Sequence, residues 1–436
     1  MLPGIIVAII VFSILVLFHE FGHFIMAKAV GIGVTEFSLG MGPRIFSFGK
    51  GETKYSLKAL PFGGSCAMVG EDDPDEEAPN SFGAKPAWAR FLVVFAGPAF
   101  NIILAFIASL FLLGFGGINA STVHSVTPGS SAEKAGIVAW QDDVTAINGQ
   151  KITMGRELML YLLANPLDGS PVTVTLEREG VSREVTIDPH VKGYRVGITY
   201  IAGEDAAQLS SVTADSPAEK AGLKTGDVVL SLNGTPIASG SAMQQFFTEH
   251  PLDGAPIEFT VRRNGEDLTF TMTPDPYETN ELGFEAYYVY DKWDGNIFHL
   301  FRDGFRETRY WLSYTFFSLK MLVTGKVGVR DLSGPVGIVS TMGQAVEAGV
   351  ESGGLGDAAL NVLTMMVLLS VNLGVMNLLP IPALDGGRIL FILFEMIFRK
   401  PVPRKAESIV HFIGFILLMA LMAVILFSDV LKFFGK

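Results

Sequence analysis

His19-Glu20-Phe21-Gly22-His23 are the residues of this chain best suited to chemistry. On a helix His19 and His23 stand four apart, so both imidazoles lie on one face and can hold one Zn²⁺. Glu20 is one step round and can act on a water at that ion as general base. The same pentapeptide turns up by chance on soluble helices. Here it ends an apolar run from Ile5 to Phe18. Two histidines and a carboxylate at membrane depth are costly, which ties them to a site. A catalytic zinc takes three protein ligands and keeps one position open, so a third ligand must come from elsewhere.

The elements that position these residues are apolar. Of the 436 residues 49% are apolar, gathered in blocks, which points to a membrane protein with soluble parts. Four blocks read as transmembrane helices: about 5–27, 91–115, 360–379 and 409–427. No cleavable signal is expected, since Met1 to Gly4 carry no basic residue and the first apolar run holds the motif. A net charge of −12 argues against nucleic acid as a partner. Cys66 is the single cysteine, so no intrachain disulfide forms; it reads as a small buried apolar residue.

Basic residues set the orientation. Lys28, Arg44, Lys50, Lys54, Lys58, Lys85 and Arg90 lie between spans one and two. Arg388, Arg399, Lys400, Arg404 and Lys405 follow span three. Both loops are therefore expected to face the cytoplasm, with the stretch between spans two and three outside. The acidic run Glu71-Asp72-Asp73-Pro74-Asp75-Glu76-Glu77 falls in the first cytoplasmic loop and reads as a solvated linker. Residues 301–323 mix aromatics with Arg302, Arg306, Arg309 and Lys320, and read as a helix lying in the interface.

With that orientation a third ligand appears. Asp385 stands alone in the proline-broken segment Asn377 to Gly386, just past span three. His19 lies about 14 residues into span one, roughly 21 Å from the outer end at 1.5 Å per residue. Span three runs inward and delivers Asp385 to the same side. The prolines remove backbone donors, so the chain can leave the helix where it lines a protein cavity.

The outer stretch repeats itself. Ser125-Val126-Thr127 with Ala132 to Ile137 matches Ser211-Val212-Thr213 with Ala218 to Leu223. Asn148-Gly149 matches Asn233-Gly234, and Pro166 to Gly169 matches Pro251 to Gly254. The period of about 85 residues suits two tandem domains. The repeat resembles the PDZ family in its permuted order. That resemblance implies peptide-binding loops late in each copy, at Val196-Gly197-Ile198 and Leu282-Gly283-Phe284. Copy one departs at Trp140-Gln141, where copy two has Gly226 before Asp227.

Taken together, the chain resembles the site-2 protease family of intramembrane zinc metalloproteases, in its bacterial branch. The resemblance covers nearly the whole chain. It rests on the His19 to His23 motif, Gly97-Pro98-Ala99-Phe100-Asn101 in span two, the repeat, and Asn377-Leu378-Leu379-Pro380-Ile381-Pro382-Ala383-Leu384-Asp385-Gly386, in that order. Two looser matches are Glu36 to Pro43 and Ser333 to Ile338. It implies His19, His23 and Asp385 as zinc ligands and Glu20 as base. It makes Asn377 a contact to substrate or transition state, and Asn101 a substrate or inter-helix contact. It also implies that residues 54–68, with a tight turn at Gly63-Gly64, dip into the membrane and offer a strand edge to substrate.

The expected architecture is an α-helical core of four spans with two inserted extracytoplasmic PDZ-like α+β domains. Its segments are 1–117 (spans one and two with the loop), 118–202 and 203–288 (the repeats), 289–357 (linker with interfacial helix) and 358–436 (spans three and four). The expected function is cleavage of single-span membrane proteins already trimmed by an upstream site-1-type protease, such as anti-sigma factors and remnant signal peptides. Rival readings are a non-catalytic PDZ membrane scaffold, disfavoured by an intact ligand set and base, and a metal transporter. A transporter usually shows repeated halves, which these spans lack.

Overall fold

The computed structural model describes residues 2–49, 51–71, 78–203, 205–287, 289–328, 333–400 and 402–434. Most of the acidic run, 72–77, lies outside them. The chain divides into two units, Met1–Ile118 with Tyr290–Lys436, and Asn119–Val289.

The first unit is built on long apolar helices: α1 (Leu2–Ala29), α2 (Ala87–Gly116), α3 (Ile297–Val323), α4 (Pro335–Gly353), α5 (Leu355–Leu378), α6 (Asp385–Phe398) and α7 (Arg404–Phe434). Four stretches among them are long and apolar enough to cross a membrane: Gly4–Ala29, Ala87–Gly116, Leu355–Leu378 and Ala406–Asp429. These match the expected spans to within a few residues at each end. Helix α2 is the hub; it packs on α1, α3, α5 and α6 and carries the buried Asn101 and Ser109. Helix α7 is mostly exposed along its apolar length, as a lipid-facing helix would be. It is tied to α4 near its end, where buried Asp429 accepts from the Gly337 N–H at 2.9 Å in the first turn of α4. A carboxylate there satisfies a helix-start donor and meets the positive end of the helix dipole.

Helix α3 is not among the four stretches long and apolar enough to cross a membrane. Its aromatic face, Phe298, Phe301, Phe305 and Phe316, is exposed, but its other face is buried on α2 and α5. Buried Glu307 accepts from Trp311 Nε1 at 2.8 Å, and Thr315 donates to Asn372 Oδ1 of α5 at 2.5 Å. Asn372 is five residues before Asn377. Glu307 and Trp311 thus satisfy each other one turn apart within α3, while the Thr315 hydroxyl ties the helix to α5.

Between α1 and α2 two long strands, β1 (Val34–Phe48) and β2 (Lys54–Met68), pair antiparallel and bend back on themselves. Phe37 pairs with both Tyr55 and Cys66, and Leu39 with both Leu57 and Gly64. The run Gly64–Met68 therefore lies at a rim. Among the described residues nothing pairs with its other edge.

The second unit holds two modules of one build. Each has a four-stranded antiparallel sheet, Asp143–Ile147 beside Val172–Arg178 in one and Val228–Leu232 beside Ile257–Arg263 in the other. Each short helix starts with a capping box: Ser130 Oγ accepts from Glu133 N and Glu133 from Gly129 N, as Ser216 does from Glu219 N and Glu219 from Asp215 N. Burial works against the charges of Asp142 and Asp227, but Arg178 and Arg263 hold both carboxyls below their ordinary range.

The expected boundary between copies, at 202/203, does not describe how they pack. Val196 belongs to the core of the second module, and Ile198–Tyr200 pairs with Leu209–Val212. Leu282, Phe284 and Ala286 belong to the core of the first, and Phe284–Glu285 pairs with Ser125–Val126. Each glycine-hydrophobic loop thus completes the other copy. Strands His190–Arg195 and Asp275–Asn280 pair with each other on the way across. The reason is burial: at the end of a copy the chain still holds apolar residues that only the neighbouring sheet can cover. Phe284→Ala should cost about 3 kcal/mol. Hydrogen exchange should rise in 123–187, far off in sequence, while 209–272 stays protected; the reverse pattern would restore the simple tandem arrangement.

Candidate active site

Helix α1 places His19 and His23 one turn apart, pointing at α2. The two Nε2 atoms are 3.2 Å apart. The third group arrives from the break after α5. Pro380 and Pro382 end the helix, Ala383 adopts φ +77°, and Asp385 opens α6. Its Oδ2 lies 3.1 Å from His19 Nε2 and 3.5 Å from His23 Nε2. One donor atom from each residue lies within 4.8 Å of the others.

The surroundings of this trio fit a bound cation. His23 Nδ1 donates to the Val93 carbonyl at 2.8 Å, which leaves Nε2 with its lone pair free. Asn101 is fully buried on α2, with its amide 3.1 Å from His19 Nδ1. With that amide turned so that Oδ1 accepts from Nδ1–H, His19 also offers Nε2 as a lone pair. Asp385 Oδ2 is buried and has no hydrogen-bond donor. Three lone pairs converging without a proton between them are unstable unless a cation sits among them. Two nitrogens and one carboxylate oxygen suit zinc and leave a fourth position.

Close helix packing makes room for this. A Cβ on Gly97 of α2 would stand 2.2 Å from His23 Nε2 and 2.9 Å from His19 Cε1. A Cβ on Gly22 would stand 2.4 Å from the Ala96 carbonyl. Only glycine lets the two backbones approach so closely with both rings between them.

A cavity of about 640 Å³ opens on the trio, walled by Glu20, Gly64 to Met68, Leu384, His411 and Phe412 among others. Glu20 faces it beside the strand rim, and a Cβ on Gly64 would lie 3.1 Å from Glu20 Cγ. The predicted residues sort as follows. His19, Glu20, His23, Asp385, Asn101 and Gly64 meet here, and Asn377 Nδ2 lies 3.4 Å from His19 Nε2. Gly63 sits one step behind the rim with φ +81°, against Met41. Gly197, Gly283 and Phe284 belong to the second unit and to the exchanged loops. Burial pushes the Cys66 thiol up to about 12, so it is the apolar wall residue its sequence context suggested.

Four contributors went unassigned at the sequence level. Gly97 was visible only as part of a motif. Ser370 donates to the Asn101 carbonyl at 2.7 Å and fixes that residue's turn of α2. His411 of α7 accepts from the Ala383 N–H at 2.9 Å and steadies the break. Val93 acts through its carbonyl, which no sequence pattern announces.

Comparison with known proteins agrees with this geometry. Residues 7–421 match the model of Peptidase family M50. The chain is 32% identical to a zinc metalloprotease named RasP from Geobacillus kaustophilus, over 99% of each chain. It is 31% identical to a regulator of sigma E protease from Haemophilus influenzae, over 97% of this chain and 98% of that one. With a family match that spans almost the whole sequence and relatives aligned end to end, the chain belongs to peptidase family M50, a family of zinc metalloproteases.

Proposed function

We propose that this chain is an intramembrane zinc endopeptidase that cuts membrane-spanning segments. The observation that carries the reading is the convergence of His19, His23, Asp385 and Glu20 on one cavity beside an unpaired strand rim. A zinc ion held by the trio would polarise the scissile carbonyl and make water acidic enough to attack near neutral pH. Glu20 takes the proton from that water and returns it to the leaving amine. Asn377 donates from Nδ2 toward the developing negative charge on the carbonyl oxygen. Asn101 and the Val93 carbonyl hold the imidazoles in the required tautomers.

A transmembrane helix hides its peptide bonds in its own hydrogen bonds, so it must unwind before it can be cut. The rim Gly64–Met68 offers free backbone groups to a segment that does so, by strand addition. The substrates on this reading are single-span proteins already shortened outside by another protease, with anti-sigma factors and leftover signal peptides as candidates. The two modules, PDZ-like in build, act as a size filter for substrates. Replacing 119–289 by a short flexible linker should then allow cleavage of an untrimmed substrate; continued resistance of that substrate would end the filter idea.

The protein sits in a bacterial plasma membrane with the cavity toward the cytoplasm and the modules outside. In a Cys66→Ser background, a cysteine at Gln150 should react with an impermeant thiol reagent in intact cells and one at Asn80 should not. The opposite labelling inverts the orientation.

The purified chain should hold about one zinc per molecule, because three ligands and buried supporting bonds define one site. His23→Ala should lose most of it. Gly97→Ala should lose it too, though Gly97 ligates nothing, because its Cβ would occupy the place of the His23 ring. Glu20→Gln should keep the metal and lose about 100- to 10,000-fold in turnover, as removal of a general base does. Metal content by elemental analysis, with cleavage assayed in parallel, separates these cases. Full zinc in Gly97→Ala would contradict the packing argument.

A further inference from the structure

We propose that Glu71 is a specificity residue that reads a Lys or Arg on the cytoplasmic flank of the segment being cut, with Arg388 as its resting partner. The inference rests on the protease reading of the cavity.

Glu71 and Arg388 face each other across that cavity as an ion pair, their side chains 15% and 35% exposed. Neither belongs to the ligand trio, and neither is the base. Glu71 comes three residues after the rim Gly64–Met68, at the end of the hairpin. Arg388 comes one helical turn after Asp385 on α6, on the same face. A segment paired along the rim and crossing the metal trio must therefore run past this pair. Much of the wall around them is apolar, from Val94, Leu384, Phe412 and Phe415.

A largely buried carboxylate left without a cation is strongly unfavourable. At rest Arg388 meets that need. Arg388 is the more exposed of the two, so it can turn toward water if another cation takes its place at Glu71. The exchange swaps one cation for another and costs little, whereas a carboxylate brought to the same point meets a like charge. Membrane-spanning segments carry Lys and Arg just past their cytoplasmic ends. The chemistry that fits Glu71 is thus present on the very class of substrate that the cavity would admit. The hairpin edge orients the backbone, and the charge at Glu71 sets how far the segment slides before the flank stops it.

The test uses the full chain in lipid nanodiscs and one model substrate, a single apolar span with a short outer stub. Its first two residues beyond the cytoplasmic end are Lys-Lys, Gln-Gln or Glu-Glu. Wild type should favour Lys-Lys over Gln-Gln by at least about fivefold in kcat/KM, chiefly through KM, as one exposed-to-half-buried charge pair allows. It should disfavour Glu-Glu. Glu71→Gln should level the three, and Glu71→Lys should reverse the order. On Gln-Gln both variants should keep kcat within about twofold of wild type and retain zinc, since no catalytic group has changed. Cleavage with a flank preference that Glu71→Gln leaves intact overturns this inference alone. No Glu20-dependent cleavage of any of the three substrates overturns the protease reading and this inference with it.

Discussion

Two imidazole rings must fit between helices whose backbones almost touch, and the membrane unit is arranged around that constraint. The rings of His19 and His23 lie in the gap that Gly97 leaves on α2. On the side of α2 the gap is closed, so the polar atoms that face it need protein partners. That need accounts for Asn101 at one ring, the Val93 carbonyl at the other, and Ser370 behind Asn101. It also accounts for the break after α5. A straight helix would carry Asp385 past the rings, whereas Pro380, Pro382 and the turn at Ala383 return it to them.

The same constraint limits what the cavity can accept. A site wedged between packed helices has no room for a second intact helix, so a peptide has to reach it extended. The unpaired rim of β2 is the only backbone edge among the described strands that borders this cavity. An edge of this kind is a hazard on a soluble protein because it recruits other strands. Here it borders the cavity of the ligand trio, where the strand addition proposed above would make use of it.

Much of this was legible in the sequence because the membrane makes patterns stark. Apolar runs of the right length marked four candidate spans, and the His19 to His23 spacing put two imidazoles on one face, where the structure also brings Asp385. Asp385 followed from depth, since polarity is rare there. What escaped was whatever depends on partners distant in sequence. The exchange of Val196–Ile198 and Leu282–Phe284 between copies is invisible to a repeat analysis, because both copies are equally well formed on paper. The docking of α3 on α5 turns on single bonds such as Thr315 to Asn372, which composition cannot foretell. Composition reported the aromatic and basic face correctly and was silent about the buried one.

Chain order adds a further consequence. The ligands on α1 emerge early, and Asp385 comes after the modules of the second unit and α5 have been made. Two of three donors hold zinc poorly, so the trio cannot hold its ion until the last third of the chain has reached the membrane. Nor is the rest of the pocket complete earlier, because His411 and Phe412 arrive on α7. The modules of the second unit obey the same order, since the first lacks Leu282, Phe284 and Ala286 from its core until the second has been built. In both units the last segment closes the first structure. A metalloprotease assembled this way has no complete site until its final helices are in place.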